Sequence, residues 1–249
     1  PDVVIGIGGG SVIDMAKLVA GLAHGQTKLD QILRSAQSVN GRQAALVLVP
    51  TTAGSGAEAT HYAVLYREGR KHSVSGAGLV ADLAVLDPDL VSSGSAKQLA
   101  ASGLDALSQC IESLWSRNAT STSRERAEDG LGFLVPNLVA FVRGDGSRAP
   151  QMQRGSHLSG QAINISRTTG PHALSYHLTM TYGVPHGIAA ASTVGFFIDR
   201  HNEILQGEPI PSWRGLRSSM DLINRILGIE AIGAGVAYFN QLFETLGLG

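Results

Sequence analysis

Three observations predict an α/β N-terminal part with a mostly parallel sheet, followed by an all-helical part. First, Val3-Val4-Ile5-Gly6-Ile7 and the run 44–50 are short and rich in β-branched or other apolar residues, which fits strands buried on both faces of a parallel sheet. Second, each run empties into small residues, Gly8-Gly9-Gly10-Ser11 after the first and Thr51-Thr52-Ala53-Gly54-Ser55-Gly56 after the second. Third, from about Ser95 the apolar residues recur at helical spacing. This change of pattern puts a boundary near 88–95, giving parts 1–92 and 93–249 with a ligand cleft expected between them. The 249 residues, 43% of them apolar, suffice for one large domain or two smaller ones.

In chain order, the first strand runs through its glycine turn into a helix over 12–23. Strand, glycine turn and helix start form the arrangement in which bare backbone N–H groups face a phosphate, and any tight strand-to-helix turn uses it too. The six-residue dinucleotide fingerprint is absent. The loop 51–60 follows the carboxyl end of the second strand, where ligands lie in open α/β sheets. It reads as a phosphate or ribose cradle or as a flexible solvent loop. Residues 61–66 and 72–86 alternate enough for further strands, with Arg67-Glu68-Gly69-Arg70 as a hairpin tip and Asp87-Pro88 closing the region. Helices are expected over 96–116, 121–143, 149–164, 171–182 and 185–200, with two more near the end. The chain starts at Pro1 directly on a strand and stops within a helical pattern, so it reads as a piece of a longer protein.

Composition narrows the partners. A formal charge of −1 without a Lys/Arg run gives no footprint for nucleic acid or an anionic membrane. The single Cys110 excludes an internal disulfide framework and fits a reducing, cytoplasmic setting. No apolar run approaches the ~20 residues that span a bilayer, and no signal peptide is visible.

The chemistry gathers around Thr168 to Gly187. Thr169 suits an N-cap and Pro171 a first turn, so a helix opens just before His172 and stops at Gly183; Pro185 then puts His186 at another helix start. The positive end of the aligned peptide dipoles is expected to lower both imidazole pKa values and keep the rings neutral, the form that binds a metal. His177 lies roughly 140° around the helix from His172, whereas Tyr176 returns to the same face. In 102–115, Leu104, Leu107, Ile111, Leu114 and Trp115 make a buried stripe, and Asp105 and Gln109 share another face at i, i+4. An aspartate beside such a stripe needs a cation, a metal or N–H donors. One carboxylate, two imidazoles and an amide oxygen suit Fe(II) or Zn(II) with a position left open. Taken singly, each histidine reads more readily as a surface or capping residue; the pair stands out through the third partner, Asp105.

Taken together, these motifs resemble the iron-containing (group III) alcohol dehydrogenase family. The likeness rests on Gly8-Gly9-Gly10-Ser11 with Asp14 and Lys17, the 51–56 loop with Glu58, Asp87-Pro88, Gly103-Leu104-Asp105-Ala106-Leu107 with Glu112, His172 and Pro185-His186-Gly187, all in the family's order. The resemblance implies a dehydroquinate synthase-like architecture: an incomplete Rossmann-like dinucleotide-binding domain over 1–92 and a helical metal and substrate domain over 93–249. It implies NAD(P)H-linked interconversion of a small aldehyde and an alcohol, with Fe(II) as the expected metal and Zn(II) as the alternative, in a homodimer. Gly8, Gly9, Gly10 and Ser11 would cradle the pyrophosphate with Asp14 beside them, Thr51, Thr52 and Ser55 would lie along the cofactor, and Lys71 would approach its ribose. Asp105, His172 and His186 match family metal ligands. Two positions depart: Gln109 stands where a fourth ligand, a histidine, is usual, and Tyr176 stands where a second histidine is common. Tyr176 is a candidate proton relay or a packing residue.

Residues 113–118 and 164–172 look most like the subgroup that reduces phosphonoacetaldehyde to 2-hydroxyethylphosphonate. There Arg167, Thr168 and Thr169 would hold the phosphonate, although Arg167 reads equally as a surface charge at a helix end. A sugar-phosphate lyase of the dehydroquinate synthase type and a metal-free, non-catalytic remnant are the competing readings.

Overall fold

In the computed structural model, which describes residues 1–23, 29–35, 38–67, 70–207, 213 and 215–249, a parallel sheet and a hairpin precede a helical array. The elements are β1 (Val3–Gly8), α1 (Gly10–Leu22), α2 (Leu29–Ser35), β2 (Ala45–Pro50), β3 (Tyr62–Arg67), β4 (Arg70–Ser75) and β5 (Leu83–Ala84). They are followed by α3 (Ala96–Trp115), α4 (Ser121–Leu134), α5 (Leu138–Val142), α6 (Ala149–Ser166), α7 (Gly170–Tyr182), α8 (His186–Ile204), α9 (Leu216–Leu227) and α10 (Ala234–Thr245). The sheet order is β1-β2-β5, all parallel, with Val3 opposite Ala45 and Gly8 opposite Pro50. β3 and β4 pair antiparallel; the expected tip residues 68 and 69 lie outside the described residues.

The strands differ from the expectation in two respects. α1 packs Ile13, Ala16 and Ala20 on Leu46 and Leu48, so one face of the sheet is buried. On the other face Val3, Ile5 and Ile7 are 51%, 61% and 60% exposed, because no described element covers them. The expected strand over 72–86 is also interrupted. Gly76, at φ 151°, turns the chain over Val39, and a Cβ there would lie 2.2 Å from the Val39 carbonyl oxygen. Only Leu83–Ala84 then joins the sheet, as β5.

The helix expected over 121–143 is two helices. Pro136 has no N–H to continue the ladder and its ring crowds the preceding turn. α4 therefore ends at Leu134, and the Asn137 amide donates to the Phe133 carbonyl oxygen at 2.8 Å. α3 is fixed at its start by a reciprocal box between Ser95 and Gln98, and from Gly103 to Trp115 every residue is buried. It forms the axis of the main core, with Leu131 and Leu134, Met152, Val194 and Ile198, and Met220 and Ile223 around it. Cys110 faces α4, where a Cβ on Gly130 would lie 2.7 Å from its sulfur; burial pushes the thiol pKa up. Asp199 of α8 accepts the N–H groups of Gly233, Gly235 and Val236 at 3.1, 2.8 and 2.9 Å, capping α10 from outside.

The loop after β2 is the joint between the two parts. A Cβ on Gly54 would lie 2.8 Å from Ser102 of α3, and one on Gly160 of α6 would lie 2.2 Å from the Gly56 carbonyl oxygen. Backbone-to-backbone contact of this kind fixes where the loop sits over the helices. No helix among the described residues is long and apolar enough to cross a membrane.

Candidate active site

Two turns face each other at the carboxyl ends of β1 and β2. α1 opens at Gly9 with no side chain capping it. A Cβ on Gly9 would lie 3.3 Å from Thr52 Cγ2, and one on Gly10 would lie 2.8 Å from Ser55 Oγ. Thr51 N–H donates to the Gly8 carbonyl oxygen at 2.9 Å, stitching the turns together. An uncapped helix start beside exposed Ser11 and the hydroxyls of Thr51, Thr52 and Ser55 is a lining suited to a diphosphate. The Asp14 carboxylate is engaged elsewhere: Oδ2 accepts Val64 N–H at 2.9 Å and Oδ1 lies 3.8 Å from Lys17 Nζ. Lys17 is fully buried and donates to Thr60 Oγ1 and the Tyr62 carbonyl oxygen, each at 2.8 Å, so this pair pins β3 to α1.

Below this cleft Asp105 of α3, His172 of α7 and His186 of α8 bring one ligand atom each to within 4.8 Å of one another. Two features make the convergence feasible. Ser175 of α7 lies 3.3 Å from His186 Nδ1 and so steadies that ring, and Gly187 lets α8 abut α3, since a Cβ there would lie 2.0 Å from the Ala101 carbonyl oxygen. His172 is 3% exposed and holds Asp105 through Nε2 at 3.1 Å and Glu112 through Nδ1.

The electrostatics reverse the helix-dipole expectation for His172 and agree in direction with it for His186. Burial pulls the His172 imidazole down, but the carboxylates of Glu112 and Asp105 on its two nitrogens outweigh that and leave it raised to about 10. His186 is lowered, first by burial, with Asp105 opposing and His172 and Lys71 adding to the drop. For Asp105, burial raises the pKa and His172 and His186 reverse it, so the carboxyl is lowered. The immediate neighbours, acting at a few ångströms, decide the titration where the dipole of a helix end does not. His172 Nε2 lies 3.1 Å from Asp105 Oδ1, and the carboxylate makes this the spot where positive charge is favoured. One carboxylate and two imidazoles around it form a donor set that fits Fe(II) or Zn(II). The Gln109 amide oxygen accepts Ser159 Oγ–H at 2.8 Å and its nitrogen donates to the Ser55 carbonyl oxygen at 3.3 Å, which engages the atom expected as a fourth donor.

Tyr176 stacks on His186 with centroids 5.7 Å apart and planes 4° apart, and burial pushes its phenol up to about 12. Lys71 Nζ stands 3.2 Å from the Tyr176 ring centroid, and burial brings its ammonium down to about 8 against the pull of Asp14 and Asp105. Arg167 is exposed at φ 61° and ψ 170°, the only non-glycine residue with positive φ among the described residues. The strain is held by Ser116 Oγ–H on the Ser166 carbonyl oxygen at 2.7 Å and Ser166 Oγ–H on Ser113 Oγ at 2.8 Å. His177 lies exposed beside Thr181, outside the cluster.

Glu112 received no individual role from the sequence, although it lies two helical turns from Asp105 and so on the same face. The approach of Lys71 to Tyr176 depends on how the hairpin folds back over α7, and no local pattern announces it.

Residues 1–88 match the family model described as iron-containing alcohol dehydrogenase, and residues 99–247 match the C-terminal model of the same family. The phosphonoacetaldehyde reductase of Streptomyces viridochromogenes is 35% identical over 83% of this chain and 55% of its own length. The long-chain-alcohol dehydrogenase 1 of Geobacillus thermodenitrificans is 37% identical over 75% of this chain and 48% of its own. The chain thus spans about half the length of these curated relatives. Among solved structures, the sulfoacetaldehyde reductase of Bifidobacterium kashiwanohense in complex with NAD+ superposes with TM-score 0.87 at 26% identity, covering 100% of this chain and 64% of that one. An iron-containing alcohol dehydrogenase of Thermotoga maritima does so with TM-score 0.82 at 29% identity, covering 99% and 63%. With two family models matched in order over the sheet and helical parts, the chain belongs to the iron-containing alcohol dehydrogenase family.

Proposed function

We propose that the protein reduces a small aldehyde carrying an anionic group, phosphonoacetaldehyde being the specific candidate, with NAD(P)H and a divalent ion held by Asp105, His172 and His186. The observation that carries this is the convergence of those three donors within 4.8 Å beneath a glycine and hydroxyl cleft. When bound, the ion supplies Lewis acidity toward a carbonyl oxygen and the dinucleotide supplies hydride to the carbonyl carbon. Gly8, Gly9, Gly10 and Ser11 bind the pyrophosphate through backbone N–H groups, and Thr51, Thr52 and Ser55 orient the rest of the nucleotide.

Tyr176 keeps its proton at neutral pH, since burial pushes the phenol up to about 12. That suits a donor passing a proton to the new alcohol. Lys71, over the same ring, keeps positive charge at the mouth of the site, and Arg167 adds a second cation. Two relatives are named for acetaldehydes bearing a phosphonate or a sulfonate group, which supports an anionic tail on the substrate. A sugar-phosphate lyase would need a denser basic lining than Lys71 and Arg167 provide.

The test is an NADH and NADPH oxidation assay with phosphonoacetaldehyde against unsubstituted aldehydes, with metal analysis of the same preparations. A preference for the phosphonate and loss of both bound metal and turnover in His186→Ala are expected. Equal kcat/KM for both substrates would refute the anionic tail, and full turnover by His186→Ala would refute the metal site.

A further inference from the structure

Thr169 stands at the N-cap of α7 yet makes no capping hydrogen bond. Its hydroxyl is committed to α3: Oγ1–H donates to Glu112 Oε2 at 2.8 Å, while Oγ1 accepts Trp115 Nε1–H at 2.8 Å. Thr169 N–H also donates to Glu112 Oε2, and Glu112 Oε1 faces His172 Nδ1. Glu112 is 0% exposed; among the described residues its carboxylate accepts the Thr169 N–H and O–H and faces His172 Nδ1, and a carboxylate can only accept there. Trp115 is itself pinned, its carbonyl oxygen accepting Trp213 Nε1–H at 2.9 Å.

From this geometry we infer that Glu112, held by Thr169 and Trp115, is a positioning residue that fixes the tautomer of His172, keeping the proton on Nδ1 and the lone pair of Nε2 on the ion. The inference rests on the metal reading above. A histidine that donates one ring N–H to a buried carboxylate is held in orientation and made more basic at its other nitrogen. The local sequence rule for Thr169 is broken because its hydroxyl orients a carboxylate that in turn orients the imidazole.

The chemistry makes Glu112→Gln informative without a change of shape. Thr169 presents two donors on the Oε2 side, so the amide oxygen stays there and the amide –NH2 turns to His172 Nδ1. That nitrogen must then accept, the ring proton moves to Nε2, and the ligand atom loses its lone pair. Thr169→Val removes one donor and leaves the Trp115 N–H without its acceptor, a milder loss of the same clamp.

The experiment is titration of Zn(II) and Co(II) into the purified chain against a chromophoric chelator, for wild type, Glu112→Gln and Thr169→Val. Low-field proton NMR of the zinc-loaded forms follows the hydrogen-bonded Nδ1–H, and circular dichroism checks the fold. Expected are affinities weakened about 10- to 100-fold in Glu112→Gln and less in Thr169→Val, with the low-field resonance lost in Glu112→Gln. Wild-type affinity in both variants, or an unchanged resonance in Glu112→Gln, overturns the clamp and leaves the metal reading intact. If Glu112→Gln fails to fold, Thr169→Val decides alone: affinity equal to wild type overturns the inference. No saturable binding by the wild-type chain overturns the metal reading itself.

Discussion

The sharpest test of how the site is assembled is Gly187→Ala. His186 and Asp105 meet because the first turn of α8 lies against the backbone of α3, with room for a hydrogen and not for a methyl group. The added Cβ would stand 2.0 Å from the Ala101 carbonyl oxygen and 2.7 Å from Asp105 Cβ, so α8 must retreat by about 1.4 Å to reach ordinary contact. The three ligand atoms lie within 4.8 Å of one another and have to stay mutually close to share an ion at about 2.0–2.2 Å each. A retreat of α8 carries the His186 ligand atom away from the other two. Overpacking strain of about 1–3 kcal/mol, carried into binding, weakens the ion about 5- to 150-fold. The assay is chelator competition with Zn(II), with thermal unfolding alongside. Gly132→Ala is the paired control: an added Cβ there meets nothing within 4 Å, Gly132 is exposed inside α4, and alanine should stabilise by about 0.5–1 kcal/mol with ion affinity unchanged. Wild-type ion affinity in Gly187→Ala would refute the assembly argument.

Arg167→Gly should relieve a backbone strain of about 1–3 kcal/mol at a cost of about 0.5–1 kcal/mol in chain entropy, for a net gain near 1 kcal/mol. It should also raise KM for phosphonoacetaldehyde while leaving simple aldehydes unaffected; equal KM changes for both would remove Arg167 from the substrate. Asp199→Ala leaves three N–H groups at the start of α10 without their acceptor and should cost about 2 kcal/mol in urea unfolding; a loss under about 0.5 kcal/mol would contradict the capping role. His201 packs between Trp115 and Trp213 with centroids 4.8 and 4.9 Å away, Nδ1 has no hydrogen-bond partner among the described residues, and burial lowers its pKa from 6.5 to about 4. The unfolded chain takes up this proton as the pH falls through 6.5 and the folded one only near 4. Folding therefore weakens across that window, by about 3 kcal/mol, and is flat below it. His201→Phe should remove this slope, and an unchanged pH curve would place the acid sensitivity elsewhere.

What the sequence could reveal follows from which patterns are local. The glycine turn, the stripe of Leu104, Leu107, Ile111, Leu114 and Trp115, and the proline and glycine signals around α7 and α8 act within one or two turns, and each sits where its spacing predicts. Pro136 was equally local, and reading through it merged α4 with α5. The open face of the sheet was not legible, since Val3, Ile5 and Ile7 look the same covered or bare. At the site, the two histidines and Asp105 could be nominated by residue type, but their titration could not. The pKa of His172 depends on Glu112, 60 positions away in sequence and in contact through Nδ1. Gln109 shows the same limit, because Ser159 and Ser55 orient its amide from two other segments.

The lone sulfhydryl, sealed between α3 and α4 and held protonated by its apolar surroundings, leaves the exterior of this molecule silent toward thiol reagents. A cysteine introduced at exposed His177 or Tyr182 would then be the single reactive handle among the described residues, ready to carry a fluorophore or spin label on α7.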